Sequence, residues 1–179
     1  MSKLETNQVD PATGTTLTLG TSGDTITIPS GVDLSSSVSP MVSAYLSSSQ
    51  TISSNTSTKI QYNTEFYDTD SAYDNSTNYR FTVPSGKAGK YVFHYAMSTD
   101  SITSSTVGAL FLYKNGSAVD ESFARSYPNQ STGAYPHKSC VLSLSAGDYV
   151  ELYGQHTKGS NADIQSEYTF LAGHKLIGA

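Results

Sequence analysis

The sequence predicts an all-β sandwich, and three observations support this prediction. Hydrophobic residues make up 36% of the 179 residues and charged residues only 14%, while Ser, Thr, Asn, Gly and Tyr are abundant, which is typical of strands and turns rather than helices. Apolar side chains alternate along several short segments, as they do in β-strands. Turn-forming residues separate these segments at the short intervals that sandwiches and barrels show.

The clearest strand is predicted at 89–97, where four large side chains alternate and share one face in an extended backbone. These side chains are Tyr91, Phe93, Tyr95 and Met97. The residues between them are also mostly apolar, which predicts a central strand that is covered on both faces.

Further strands are predicted on both sides of this one. They are 41–47, 58–63, 107–113, 118–127, 137–144, 149–156 and 168–177, with polar loops at 65–78 and 98–106. Asn115-Gly116 predicts a type I′ hairpin turn. Ala146-Gly147 predicts a second hairpin, between 137–144 and 149–156. Eight or more short strands with this spacing predict a jelly-roll sandwich.

The spacing of aromatic and acidic residues resembles the signature of the C1q/tumour-necrosis-factor-like domain. The matching positions are Tyr62, Asp68, Tyr73, Phe81 and Gly-x-Tyr-x-Phe-x-Tyr at 89–95, then Leu142-x-Leu144-x-x-Gly147-Asp148-x-Val150-x-Leu152, and Phe170 with Gly173. The resemblance implies a C1q-like jelly-roll head at 41–179. It also implies a homotrimer with aromatic residues near the three-fold axis, for which Tyr149, Tyr153 and Tyr95 are the candidate interface or ligand-face residues.

Residues 1–40 are predicted to form a short extended β arm that docks on a partner. Two nine-residue copies, 16–24 and 25–33, each place apolar side chains at their second and fourth positions. These side chains are Leu17, Leu19, Ile26 and Ile28. About three or more such rungs are needed to bury a core, so two rungs from one chain require a partner or further copies.

The start of the chain favours a virion protein. Asn7-Gln8-Val9-Asp10-Pro11, followed by the repeat, resembles the N-termini of tail and appendage proteins of marine phages. Residues 1–15 lack the basic start and apolar run of a signal peptide, so we expect synthesis in a host cytoplasm and a place on the virion surface. A net charge of −5 argues against nucleic-acid binding, and no stretch is long enough to span a membrane.

We therefore expect a non-enzymatic phage structural protein, either a capsid decoration or a short fibre, whose head assists host adsorption. Two alternatives stay open: the receptor-binding tip of a tail fibre, and a free bacterial lectin-like adhesin. For the exposed tyrosines, a glycan platform is the alternative to a subunit interface. A glycan-processing enzyme would need a pair of carboxylates across a groove, and the sequence offers no persuasive pair.

Two groups of polar residues are weaker candidates for a site. Asp68, Asp70 and Asp74, with Glu65 beside them, are the oxygen ligands that Ca²⁺ prefers, but a solvated acidic loop and a turn role for Asp68 are favoured. We expect no other cofactor. The four histidines, His94, His137, His156 and His174, have no metal-ligand or catalytic spacing and are expected to be structural or surface residues. Cys140 stands alone, so one chain cannot form a disulfide.

Overall fold

The computed structural model describes residues 13–14, 18, 20–25, 27, 40–100, 102, 106–128 and 133–176. The chain divides into two units, 1–36 and 37–179. In the first unit, a turn at 21–24 is closed by the Asp24 carboxylate, which accepts the Thr21 N–H at 2.6 Å. The boundary between arm and head at residue 40 stays a prediction, and the repeat side chains Leu17, Leu19, Ile26 and Ile28 lie outside the described residues.

The described part of the second unit is built from β-strands and one short 3-10 turn at Asp120–Ser122. The strands are β1 Met41–Tyr45, β2 Gln50–Ile52, β3 Thr58–Lys59, β4 Thr64–Asp68, β5 Tyr73–Asp74, β6 Arg80–Thr82, β7 Gly89–Thr99, β8 Gly108–Lys114, β9 Ser117–Ala118, β10 Ala124–Ser126, β11 His137–Leu144, β12 Tyr149–His156 and β13 Ala162–Lys175.

These strands form two antiparallel sheets packed face to face. The first sheet has the order β11-β7-β13-β1-β4, with β2 paired to β13, and the second has the order β10-β8-β12-β6-β5, with β3 on β12 and β9 on β8. The all-β jelly-roll prediction is confirmed.

The core forms where the inner faces of the two sheets meet. Tyr91, Phe93, Tyr95 and Met97 of β7 are all buried, as their alternation predicted. Phe81 of the second sheet packs against Phe93 edge-on, with ring centroids 5.6 Å apart. The prediction that both faces of β7 are covered is wrong for the single chain: His94 is exposed, and Val92 and Ala96 are half-buried, because none of the described residues forms a second layer on that face.

The predicted loop at 65–78 and the predicted strand at 118–127 need correction. The first contains β4 and β5. Strand β4 has polar or exposed side chains like those of a loop because it is an edge strand, which pairs with β1. The second is interrupted after β9 by the 3-10 turn, where the hydroxyl of Ser122 donates to the main-chain oxygen of Val119 at 2.6 Å. Strand β13 also begins at Ala162, earlier than predicted.

One of the two predicted hairpins is confirmed and the other is wrong. Asn115 and Gly116 have φ angles of 51° and 80°, the positive values that a type I′ turn requires, and β8 pairs with β9 across them. By contrast, β11 pairs with β7 and β12 with β8. The turn at 145–148 therefore passes from one sheet to the other, and the Gly147 N–H is held by the Val83 oxygen at 2.9 Å.

Candidate functional site: the open face of the first sheet

The three tyrosines expected at an interface or ligand face do not lie together. Tyr95 is 1% exposed, and its hydroxyl donates to the main-chain oxygen of Ser122 at 2.5 Å. Its assignment to an interface is therefore wrong, because the ring fills the core of its own chain. Tyr149 and Tyr153 lie on the outer face of the second sheet and are half-buried.

The faces of Tyr149 and Tyr153 are already occupied within the chain. Tyr153 stacks on Tyr113 with ring centroids 4.0 Å apart, and the guanidinium of Arg80 lies 4.1 Å from the ring centre of Tyr149. Such contacts stabilise the surface of the sheet, and they leave these rings less available for a sugar or a second subunit.

Two of the acidic residues considered for calcium, Asp68 and Asp74, accept hydrogen bonds that hold turns. Asp68 accepts the main-chain N–H of Tyr73 at 2.8 Å, which confirms the turn role expected for Asp68. Asp74 accepts the N–H of Thr77 at 2.8 Å, and this bond with those from Ser76 and Asn78 holds the pKa of Asp74 well below its usual range. Within the described ranges, no three Asp, Glu, His or Cys side chains are grouped as a metal ion would require.

One histidine is a buried structural residue, as expected. His156 is 0% exposed, with Nε2 3.2 Å from the main-chain oxygen of Ile52 and Nδ1 accepting the Lys158 N–H at 3.2 Å. Because Nδ1 accepts, Nε2 carries the proton, and the ring joins β2 to the end of β12. The other three histidines are exposed on the first sheet.

The outer face of the first sheet is where exposed apolar side chains collect. Cross-strand pairing arranges them in three rows that run across the strands, and these rows are called the open face below. The first row consists of Tyr45, Phe170, Ala96 and His137; the second of Tyr67, Ser43, Ala172, His94 and Ser139; the third of Met41, His174, Val92 and Val141.

The first row is mainly aromatic and is extended by Phe66 at the sheet edge. Tyr45 and Phe66 stack with centroids 4.4 Å apart, yet Phe66 remains 71% exposed. Tyr45 lies directly opposite Phe170 on β13. The hydroxyl of the buried Tyr62 donates to the Phe170 main-chain oxygen at 3.2 Å, so the core helps to fix the position of this row.

The other two rows carry fewer aromatic side chains. In the middle row, Ser43, Ala172 and Ser139 have small side chains. In the third row, Val141 is 55% exposed. Large exposed apolar side chains collected on one face, with polar residues among them, are typical of an interaction site.

An apolar cavity of about 550 Å³ lies at one end of the first row. Its lining residues are Ala96, Met97, Tyr135, His137, Tyr168 and Phe170. Tyr168 is 76% exposed and has a φ of 60°, in the left-handed region that a bulky residue seldom adopts. The pairing of β13 with β7 is irregular between Gln165 and Phe170, which accommodates this conformation and turns the ring outward.

Sequence reasoning did not identify these residues. The mostly apolar character of Val92, His94 and Ala96 predicts a second covered face, not an exposed one. The alternation along β13 indicates that Phe170, Ala172 and His174 share one side of that strand. Only the register of β13 against β7 and β1 shows which residues each of them meets across the sheet.

No helix in the described part of the chain is long and apolar enough to cross a membrane.

Comparisons with known proteins agree with this architecture. The family profile of the C1q domain matches residues 43–176. No protein in a search of curated sequences matches at a significant level.

Solved structures with this fold include three animal proteins. The globular domain of zebrafish complement 1qA is 16% identical, with a TM-score of 0.55 over 78% of this chain and 99% of that one. Murine APRIL at pH 5.0 is 12% identical, with a TM-score of 0.57 over 77% of this chain and 99% of that one. Eiger TNF from S. frugiperda is 16% identical, with a TM-score of 0.51 over 79% of this chain and 94% of that one. At these identities the likeness shows the fold, and together with the profile match over most of the chain it leads to one conclusion: the chain belongs to the C1q domain family.

Proposed function

We propose that three copies of the chain assemble through the open face into a non-enzymatic homotrimer. The observation that carries the proposal is the set of three contiguous rows, in which aromatic and aliphatic side chains remain in contact with solvent in the single chain. Proteins of the C1q and tumour-necrosis-factor class form trimers, and these domains are generally binding or structural modules.

The open face has two different ends, which suits a closed ring. In a three-fold ring each subunit contacts one neighbour through one patch and the other neighbour through a second, different patch. Both patches must therefore be present on every copy of the chain. The stacked Tyr45–Phe66 pair projects near the β4 edge, while the apolar cavity beside Phe170 lies toward β11. A projecting aromatic pair and an apolar hollow on the same face are complementary features for such a contact.

Changing Phe170 to Glu tests this assembly, since an unpaired carboxylate would have to be buried between subunits. We expect a monomer in analytical ultracentrifugation at micromolar concentration, whereas the wild type sediments as a trimer. Ser117→Glu is the matched control, because Ser117 is exposed on the second sheet. A wild type that is monomeric throughout this range would refute the assembly.

We further propose that the trimer is a structural component of a phage virion and displays its C1q-like head on the particle surface. Residues 1–40 would dock on other virion proteins, through Leu17, Leu19, Ile26 and Ile28. The support is the two-copy strand pattern of this segment, which needs a partner to bury its apolar side chains, and its resemblance to phage appendage proteins. Host adsorption, with a surface glycan as ligand, would be the use of the displayed head.

Deletion of residues 1–33 tests whether the N-terminal segment attaches the protein to the particle. We expect a folded trimeric head that no longer joins particles, as measured by immunoblotting of purified virions and electron microscopy of their surfaces. A truncated chain that still incorporates would contradict the docking role. Trimer found in culture supernatant without particles would instead favour the free adhesin, and density confined to a tail tip would favour the receptor-binding protein.

A further inference from the structure

Three of the four histidines in the sequence lie on the open face, one in each row. His137 ends the aromatic row on β11, His94 lies in the middle row on β7, and His174 lies in the third row on β13. All three are exposed in the single chain. They therefore occupy the surface that the proposed trimer would bury, and the inference that follows rests on that proposed function.

The immediate neighbours of these rings are neutral. Nδ1 of His94 lies 2.7 Å from the hydroxyl of Ser139, directly across the strand pair. The rings of His94 and His174 face each other with centroids 6.5 Å apart. The remaining ring, that of His137, places Nδ1 3.2 Å from the main-chain oxygen of Tyr135. The described contacts of these rings therefore include no charged partner, and positive charges on two rings 6.5 Å apart would repel each other.

Other charged groups surround the open face but do not neutralise it. Lys90 lies on the same side of β7 as His94 and adds positive charge. Lys175, Glu65 and Asp68 pair with residues whose side chains point into the core, so they lie on the other side of the sheet or at its β4 edge. Asp100 and Glu167 lie near Tyr168. Burial and the charge of Asp68 raise the pKa of Glu65 above its usual value. The ion pairs found among the described residues, Lys59–Glu151 and Lys114–Asp148, include no histidine.

We propose that protonation of His94, His137 and His174 dissociates the trimer, so that the assembly is held together near neutral pH and released in mildly acidic solution. Histidine is the side chain whose charge changes in the range of about pH 5 to 8. With three rings per chain, the trimer would contain nine of these imidazoles. No carboxylate belongs to any of the three rows, so the positive charge of protonated rings would not be neutralised within a row.

The direction of the pH dependence follows from proton linkage. Burial between subunits disfavours the charged imidazole, so the trimer binds fewer protons than three separate chains do. Dissociation consequently takes up protons, and falling pH favours the monomer. The assembly is therefore stable near neutral pH and weakens as the pH falls through the range in which histidine gains a proton.

Sedimentation velocity of the full chain between pH 7.5 and 5.0, at constant ionic strength, tests the proposal. We expect the concentration at half-dissociation to rise by roughly a hundredfold or more over this range, as expected when several protons are taken up together. Far-ultraviolet circular dichroism should stay that of a β protein, which shows that the chains separate without unfolding. A trimer that is equally tight at both pH values would overturn the inference and leave the proposed trimer intact, whereas a monomer at pH 7.5 would overturn both.

The triple variant His94→Asn, His137→Asn and His174→Asn should remain trimeric at pH 5.0. Lys90→Gln is the matched control: it removes a permanent charge beside the same face, so the wild-type pH midpoint should persist. If the triple variant fails to assemble at pH 7.5, calorimetric dilution of the wild-type trimer in two buffers of different ionisation heat decides the question. Proton uptake on dissociation supports the proposal, and a heat that is independent of the buffer refutes it.

Discussion

The hydroxyl of Tyr95 donates a 2.5 Å hydrogen bond to the main-chain oxygen of Ser122, and this bond joins the two sheets of the head. Tyr95 belongs to the first sheet, whereas Ser122 ends the 3-10 turn beside the second. The hydroxyl of Ser122 in turn accepts the N–H of Leu112 at 2.8 Å. Burial raises the pKa of Tyr95 above its ordinary value, so the phenol remains a donor.

Tyr95→Phe should lower the free energy of unfolding by roughly 1–2 kcal/mol, because a buried carbonyl loses its donor while the ring still fills its space. Urea denaturation followed by fluorescence measures this loss. Tyr127→Phe is the control, since Tyr127 is 66% exposed, and it should leave stability unchanged. Equal stability of the Tyr95 variant and the wild type would show that this bond contributes little.

Gly173→Ala should destabilise the head by a close contact rather than by backbone strain. A methyl group at Gly173 would lie 2.5 Å from a carbon of the Phe93 ring, which is too close, and a crowded core costs about 1–3 kcal/mol. Gly86→Ala is the comparison, because Gly86 has open space around it and a φ of 73°; there only the left-handed backbone is penalised, by about 1 kcal/mol. A smaller loss at Gly173 than at Gly86 would contradict the packing.

For the ion pair between Lys59 and Glu151, removing one partner should destabilise the head more than removing both. The two side chains meet at 2.5 Å, and Glu151 is only 6% exposed. Lys59→Met leaves that carboxylate buried without its partner, which costs on the order of 3 kcal/mol. Lys59→Met with Glu151→Met should recover much of this loss in thermal denaturation. A double variant that is less stable than Lys59→Met would disprove the account.

Asp148 should make stability depend on pH in acid. The side chain of Asn115 donates to this carboxylate at 2.8 Å, and with the Ser145 N–H and Lys114 it lowers the pKa of Asp148 to about 2. Because the pKa in the folded state is depressed, the stabilisation is present above the unfolded value of about 3.9 and is lost as the pH falls toward 2. The difference in melting temperature between wild type and Asp148→Asn should therefore shrink between pH 6 and 2. A constant difference would show that the carboxylate charge is not involved.

The alternation of side chains alone was enough to predict which residues form the core, because alternation is a local property of an extended chain. The burial of Tyr91, Phe93 and Met97 needed no knowledge of their partners. The turn at Asn115-Gly116 was equally local, since a type I′ turn needs positive φ at both residues and few other pairs accept it. The C1q-like spacing added the family, which the profile match over residues 43–176 confirmed.

Long-range pairing decided the rest. Residues 137–144 and 149–156 look like a hairpin in sequence, but the sheet to which each strand belongs depends on β7 and β8, which lie far away along the chain. The same holds for the candidate site. The sequence by itself determined an all-β head with an alternating aromatic core, whereas only the tertiary structure decided that Phe170 lies opposite Tyr45 and that three histidines share one face. The physical reason is that alternation fixes which side chains share a side of one strand, while strand order and register, which are non-local, fix which side is covered and which residues meet across strands.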